Sequence, residues 1–325
     1  MGALSSFVVV VPAYNEESTI IDALDSIVAA SKETSVKLEQ IIVCVNGCTD
    51  ATESLVQTWK GGPLTVIRSK RGMVPAMNRL ISYARKFYGK AALIKTDGDT
   101  TVSPKAFYYL FEQLRLHPEL MVAGGHPIPI TTGLSPLRRI TARVTSIRSH
   151  YPLAEVAVKD VAHYHPFAMN HPLPGIEARE ERLKIYFHGR LWCVRQASTL
   201  PLLPKDAIGE DVFLPGWMFK TFGTSAIRID YRATVQFKAN YSLWRHWKVY
   251  RRVYEDRQRV YALPGFEAYA EHCPLKLDWR YIQKHVPFRD KIYFLLYDTL
   301  SRAEKVSFQL SEYRESFWHY EGKER

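Results

Sequence analysis

The sequence predicts an α/β fold: a mainly parallel sheet flanked by helices, then a mostly helical C-terminal extension. Three observations carry this expectation. Short β-branched runs alternate with segments of helical spacing over the first 125 residues. Polar clusters directly follow three of those runs. From about residue 240 onward the spacing is mostly helical and the composition basic.

The first run, Phe7–Pro12, is continuous and β-branched, as expected of a strand buried on both faces. Ser18–Ala30 carries Ile20, Ile21, Leu24, Ile27 and Val28 at helical spacing. Gln40–Val45 reads as a second buried strand, ended by the turn dipeptide Asn46-Gly47. Thr49-Asp50 opens a helix through Trp59, with a side-chain oxygen available to cap it. Leu64–Arg68 is a third strand, Val74–Phe87 a helix and Ala91–Lys95 a fourth strand. Ligands of such sheets bind beyond the carboxyl ends of the strands. Tyr14-Asn15-Glu16, Asn46-Gly47 and Asp97-Gly98-Asp99 all fall there, which predicts a site at that edge.

The middle of the chain breaks this rhythm. Residues 126–187 are rich in Pro and His and read as an insertion over the sheet edge. Within it, Leu137, Ile140, Val144 and Ile147 mark one face of a helix that also carries Arg138, Arg139, Arg143 and Arg148. The expected divisions are 1–125, an α/β half; 126–240, a half with the insertion; and 241–325, the basic helical extension.

Composition bounds the function. The chain has 325 residues, 46% of them hydrophobic and 24% charged, which suits a globular protein. The net charge of +11 implies anionic partners: nucleic acid, an acidic membrane face or phosphorylated small molecules. The longest apolar runs, Ala106–Phe111 and Ile292–Tyr297, are six residues, against the roughly 20 a membrane-spanning helix needs. Phe7–Val11 is too short for the apolar region of a signal peptide. Cys44, Cys48, Cys193 and Cys273 lack metal spacing and read as reduced cytosolic thiols. A cytoplasmic protein is therefore expected, with peripheral contact at the cytoplasmic face of a membrane as a further option.

Two acidic constellations carry chemistry. In Asp97-Gly98-Asp99, two carboxylates one residue apart can hold a hard divalent cation and share it with a diphosphate. A solvated turn is the commoner explanation of such a triplet alone, but its place after a buried strand favours a site. Glu210-Asp211 follows Gly209 and precedes an apolar segment. Such a pair either stabilises a helix N-terminus or supplies a general base that deprotonates an acceptor hydroxyl.

Taken in order, these features resemble family 2 glycosyltransferases of the Rossmann-like GT-A fold. The resemblance rests on Val11–Glu17, Asn46–Thr52, Arg71-Gly72 with Ala76 and Asn78, Asp97-Gly98-Asp99, His188-Gly189-Arg190 with Arg195, and Gly209-Glu210-Asp211. It spans roughly residues 6–240. It implies a nucleotide-diphosphate sugar donor, a divalent cation (Mn2+ or Mg2+) and inversion at the anomeric carbon. Donor-binding residues would be Pro12, Ala13, Tyr14, Glu16, Asn46, Arg71, Asn78, Asp97, Gly98 and Asp99, with Asp97 and Asp99 at the metal. Asp211 would be the base and Glu210 its electrostatic support. His188, Gly189, Arg190 and Trp217 are the acceptor-side candidates. The acceptor would be a sugar or a lipid-linked saccharide, or a soluble metabolite.

Two departures from the family pattern stand out. Asn46 takes the place where an aspartate usually meets the base, which favours uracil and hence a UDP-sugar. No histidine occupies Ala233–Phe237, where many relatives supply a third metal ligand. Gln236, His188, His246 or water and phosphate remain as substitutes. His163, His165 and His171 invite a zinc reading, an acceptor contact or an ordinary loop. Trp244, Trp247, Tyr250 and Tyr254 lie near one helical face among Arg245, Lys248, Arg251 and Arg252. That stripe suits packing, diphosphate contact or an anionic bilayer. No zinc-finger, RNP-like or GxxG module supports nucleic-acid binding, so none is expected. A nucleotidyltransferase would need a Gly-rich loop after the first strand, where Pro12–Glu16 has no glycine. An inactive scaffold would not need both acidic motifs.

Overall fold

The computed structural model describes residues 4–157, 186–239 and 241–310. They form two compact units, one of residues 4–127 and 186–237, the other of residues 128–157, 238–239 and 241–310.

The first unit opens with β1 (Ser6–Ala13), α1 (Ile20–Lys32), β2 (Lys37–Val45), α2 (Thr52–Thr58), β3 (Leu64–Arg68), α3 (Met73–Tyr88) and β4 (Ala92–Thr96). β1 pairs in parallel with β2 and β4, and β2 with β3. The four expected strands and three expected helices are all present. β1 is buried almost throughout because it lies between two strands and beneath helices. Phe7 meets the rings of Phe107 and Phe111 edge-on at 5.6 and 5.1 Å. α1 turns Ile20, Ala23, Leu24, Ile27 and Ala30 inward at helical spacing. Asp50 acts at the start of α2 as expected, its Oδ1 accepting from the Thr52 amide at 3.0 Å.

β5 (Thr100–Val102), α4 (Ala106–Leu116) and β6 (Val122–Ile130) follow, then α5 (Pro136–His150) and β7 (Glu155–Ala157). The first unit resumes with β8 (Leu191–Val194), α6 (Glu210–Phe222) and β9 (Ile227–Lys238). The sheet order is β3-β2-β1-β4-β8-β6-β9-β5. β8 is antiparallel to β4 and to β6, and β5 to β9, so the sheet is mixed.

β6 differs from expectation. The proline-rich residues from 126 continue a strand to Ile130. The pairing of β6 with β8 covers Val122–Gly124, so Pro127 and Pro129 lie beyond it and remove no donor there.

The second unit contains α5, β7, α7 (Leu243–Tyr261), α8 (Glu267–His272), β10 (Leu275–Leu277), α9 (Trp279–His285) and α10 (Phe288–Leu310). The helical extension is thus present. β10 pairs antiparallel with β7. α5 forms as expected, but only the later half of its apolar face is covered. Val144 and Ile147 are buried, whereas Leu137 and Ile140 are exposed. The aromatic stripe on α7 is likewise divided. Arg251 is buried with its guanidinium 4.5 Å from the Trp247 ring, and Tyr254 meets Phe308 at 4.5 Å. Trp244 stacks on Trp247 at 4.8 Å yet stays exposed. Among the described residues no helix is long and apolar enough to cross a membrane. His163, His165 and His171 lie outside the described residues.

Candidate active site

Loops at the carboxyl ends of β1, β2 and β4 are stitched together. Asn15 adopts φ 53°, a left-handed conformation that Asn tolerates because its short side chain bonds locally. Its Oδ1 accepts from the Thr49 amide at 2.9 Å. The Glu16 amide donates to Thr52 Oγ1 at 2.7 Å, and that hydroxyl donates to Asp50 Oδ1 at 2.6 Å. The Thr19 hydroxyl donates to the Gly98 carbonyl at 3.0 Å. A Cβ at Gly98 would stand 3.2 Å from both Glu16 Cγ and Ile20 Cδ1, so a larger residue would push those side chains aside by a few tenths of an ångström. Thus the residues expected to hold a nucleotide, Tyr14, Glu16, Asn46 and the Asp97-Gly98-Asp99 turn, share one edge.

Tyr14 is half-buried, and the Arg71 guanidinium lies 4.8 Å from its ring centre. Gly47, at φ 77°, lets the turn pass close to Arg71, whose Cβ would be 3.2 Å from an added Cβ. Pro12 and Ala13 are buried at the end of β1, and the Ala13 carbonyl accepts from the Asn46 amide at 3.0 Å. Asn46 is only 2% exposed, and its Oδ1 has no hydrogen-bond partner. A buried acceptor left without a donor is unfavourable, which marks Asn46 as an unusual position at this edge.

The acidic motifs meet through a lysine that sequence reasoning left without a role. Lys95, the penultimate residue of β4, points into the interior and is 1% exposed. Its Nζ lies 2.5 Å from Asp97 Oδ1 and 2.7 Å from Glu210 Oε1, and it donates to the Gly189 carbonyl. Burial alone would lower its pKa, but the Asp97 and Glu210 carboxylates outweigh burial and hold it above the ordinary lysine range. Burial pushes the Glu210 carboxyl up, Lys95 opposes, and Asp211 and Asp97 add to the rise. The one signal available in sequence was a charged residue inside an otherwise apolar strand, which demands a buried partner.

Arg190 forms the second cationic contact. Its Nη1 lies 3.1 Å from Asp99 Oδ1 and 3.8 Å from Asp97 Oδ2, and its guanidinium covers the Phe237 ring at 4.0 Å. Gly189 lies close against the acid pair: a Cβ there would be 3.1 Å from Glu210 Oε1 and 3.2 Å from Asp211 Cβ. Gly209 and the acids Glu210 and Asp211 begin α6, where the helix dipole favours negative charge. Glu210 is buried and committed to Lys95, whereas Asp211 is half-buried. His188 accepts at Nδ1 from the Arg190 amide at 3.3 Å.

Asn78, Trp217 and the motif residue Arg195 make contacts within the fold. Asn78 spends both amide groups on Leu203: its Nδ2 donates to the carbonyl at 3.0 Å and its Oδ1 accepts from the amide at 2.7 Å. Trp217 packs edge-on to Phe222 at 5.6 Å, roughly 10 Å along α6 from the acid pair. Arg195 is buried and donates to the carbonyls of Leu114, His117 and Leu120, which fixes α4 rather than a ligand.

Asp97 and Asp99 are both partly exposed. They fit a Mg2+- or Mn2+-type cation held by one or two carboxylates and completed by phosphate and water. No group of three or more His, Cys, Asp or Glu side chains that could hold a metal occurs among the described residues. Gln236 is exposed on β9, and His246 belongs to the second unit.

Residues 8–166 match the model for Glycosyl transferase family 2. The family 2 resemblance is confirmed. Poly-β-1,6-N-acetyl-D-glucosamine synthases of several Staphylococcus aureus strains are 30% identical over 117 residues, covering 35% of this chain and 26% of theirs. The chain therefore spans about a quarter of the length of those curated relatives. A mannosyltransferase from Pyrobaculum calidifontis, solved with GDP-Man and Mn2+, aligns over 94% of this chain and 88% of its own, with TM-score 0.55 and 15% identity. Glucosyl-3-phosphoglycerate synthase from Mycobacterium tuberculosis, solved with Mn2+, UDP-glucose and phosphoglyceric acid, gives TM-score 0.48 and 16% identity over 79% of each chain. The fold is GT-A, as in the mannosyltransferase neighbour, with a C-terminal helical region present.

Proposed function

We propose that this chain is an inverting glycosyltransferase. It moves a sugar from a nucleotide-diphosphate sugar, with a UDP-sugar favoured, to an acceptor hydroxyl by single displacement. The observation that carries this reading is the Lys95 bridge, which sets Asp97 of the acidic turn and Glu210 of the acid pair on one ammonium group. A donor diphosphate at the turn would then present its sugar to the acid pair.

Asp211 is the general base, since Glu210 is buried and occupied by Lys95 while Asp211 remains accessible. Glu210 supports it from behind. Asp97 and Asp99 hold the divalent cation, which when bound neutralises the diphosphate as leaving group. Arg190, now paired with Asp99, lies where it can contact donor phosphate oxygens. Asn46 Oδ1 accepts from the base, and Tyr14 with Arg71 covers it. His188 and Gly189 line the acceptor side. The products serve polysaccharide, glycolipid or lipid-linked glycan synthesis, at the cytoplasmic face of an anionic membrane. The charge distribution favours that location: residues 128–157 and 238–310 hold 18 Lys and Arg against nine Asp and Glu, a net +9 of the chain's +11.

A thermal-shift screen of nucleotide-sugars with Mn2+ or Mg2+ tests the donor reading. A UDP-sugar at 100 times its Kd stabilises the fold by about 2.7 kcal/mol, only with the cation, and Asp99→Ala removes that dependence. No shift with any nucleotide-sugar contradicts the reading.

A further inference from the structure

We infer that α10 is an in-plane docking helix for an anionic phospholipid bilayer. This deepens the membrane part of the proposed function and rests on it. The helix is amphipathic on both sides. Asp290, Phe294, Tyr297 and Glu304 are buried at helical spacing, and α10 packs on α5 and α7. The opposite side is also apolar. Phe288 (79% exposed), Ile292, Leu295 (56%), Leu296 and Val306 project outward along five turns. On a helical projection these five residues share one stripe. A soluble helix normally places charged or polar residues there, so an outward apolar stripe marks a contact surface.

Charge selects the occupant. Arg289, Lys291, Arg302 and Lys305 flank the stripe. Two acids of the helix, Asp290 and Glu304, point inward, which leaves Asp298, paired with Arg302 at 2.9 Å, as the outer acid. Arg289 and Arg302 are 82% and 77% exposed. A face of apolar residues rimmed by cations suits acyl chains beneath anionic headgroups. A second copy of the same face would oppose cation to cation. The buried Asp290 and Glu304 keep the helix against its own unit, so it lies on the bilayer rather than across it.

Vesicle sedimentation tests this without reading sugar transfer, so it can fail while donor binding stands, and the reverse. The wild-type chain is expected to sediment with vesicles of equal phosphatidylcholine and phosphatidylglycerol, and not with phosphatidylcholine alone. Leu295→Glu with Leu296→Glu should lower partitioning at least about tenfold. Arg289→Gln with Lys305→Gln should lower it about 10- to 30-fold on the anionic vesicles. Circular dichroism and the donor-induced thermal shift should match wild type in both variants, since all four side chains are exposed. Absent sedimentation, equal binding to neutral vesicles, or unchanged partitioning of the apolar variant overturns the proposal. A wild-type dimer that Leu295→Glu with Leu296→Glu makes monomeric, seen by light scattering, assigns the stripe to self-association and also overturns it.

Discussion

In the sheet unit, Lys95 lies buried between two carboxylates, and Arg190 is half-buried against Asp99. In the helical unit, Arg289 and Arg302 extend into solvent beside exposed Leu295 and Leu296. The described residues of the sheet unit hold 19 Lys and Arg against 16 Asp and Glu, a net of +3, against +9 for the helical unit. Similar residue types thus serve two purposes. Buried cations organise acids for chemistry on a small ligand, whereas exposed cations beside apolar side chains make a surface for a large one.

The largest stability effect should come from breaking the buried side of this comparison. Lys95→Met leaves Glu210 buried without its counter-charge and the Gly189 carbonyl without its donor. Urea denaturation should show a loss of about 3–5 kcal/mol, the range for an uncompensated buried charge. An unchanged midpoint would show that the network adds nothing to the fold.

The helical unit has its own buried carboxyl group, and it behaves differently. Glu304 is 1% exposed, and burial pushes its pKa up to about 7. His246, whose Nε2 is 3.7 Å away, is held down to about 4 by burial and then by Arg148. Both are therefore neutral between about pH 4 and 7. A raised folded-state pKa means that the Glu304 contribution is present below its unfolded value and is lost as pH rises through about 7. Glu304→Gln mimics the protonated form, so its stability relative to wild type should grow by roughly 3 kcal/mol between pH 4.5 and 8. A difference independent of pH would show that Glu304 is charged throughout.

Most of the sheet unit was legible in the sequence because its strands are continuous apolar runs and its turns carry Asn, Gly and Asp. β6 was not, because Pro127 and Pro129 argue against a strand when the extent of their pairing is unknown. The edge that gathers Tyr14, Glu16, Asn46, Asp97 and Asp99 followed from the parallel topology alone. Lys95 was missed because its partner Glu210 lies 115 positions away, and only tertiary structure brings them together. Asn78 illustrates the converse: its motif suggested a ligand contact, while both amide groups are used by the Leu203 backbone. The apolar spacing of α5 predicted a helix correctly but not which residues would be covered. Leu137 and Ile140 have the same hydropathy as residues that are buried, so periodicity could not distinguish a covered face from an exposed one.

The central claim is that the accessible member of the acid pair does the chemistry. Measuring release of nucleoside diphosphate from the donor found in the thermal-shift screen, alongside donor binding, tests it in Asp211→Asn. An unchanged donor-induced thermal shift is expected, with turnover reduced by about 10²–10⁴-fold, the loss of a general base. Near-normal turnover in that variant would contradict it.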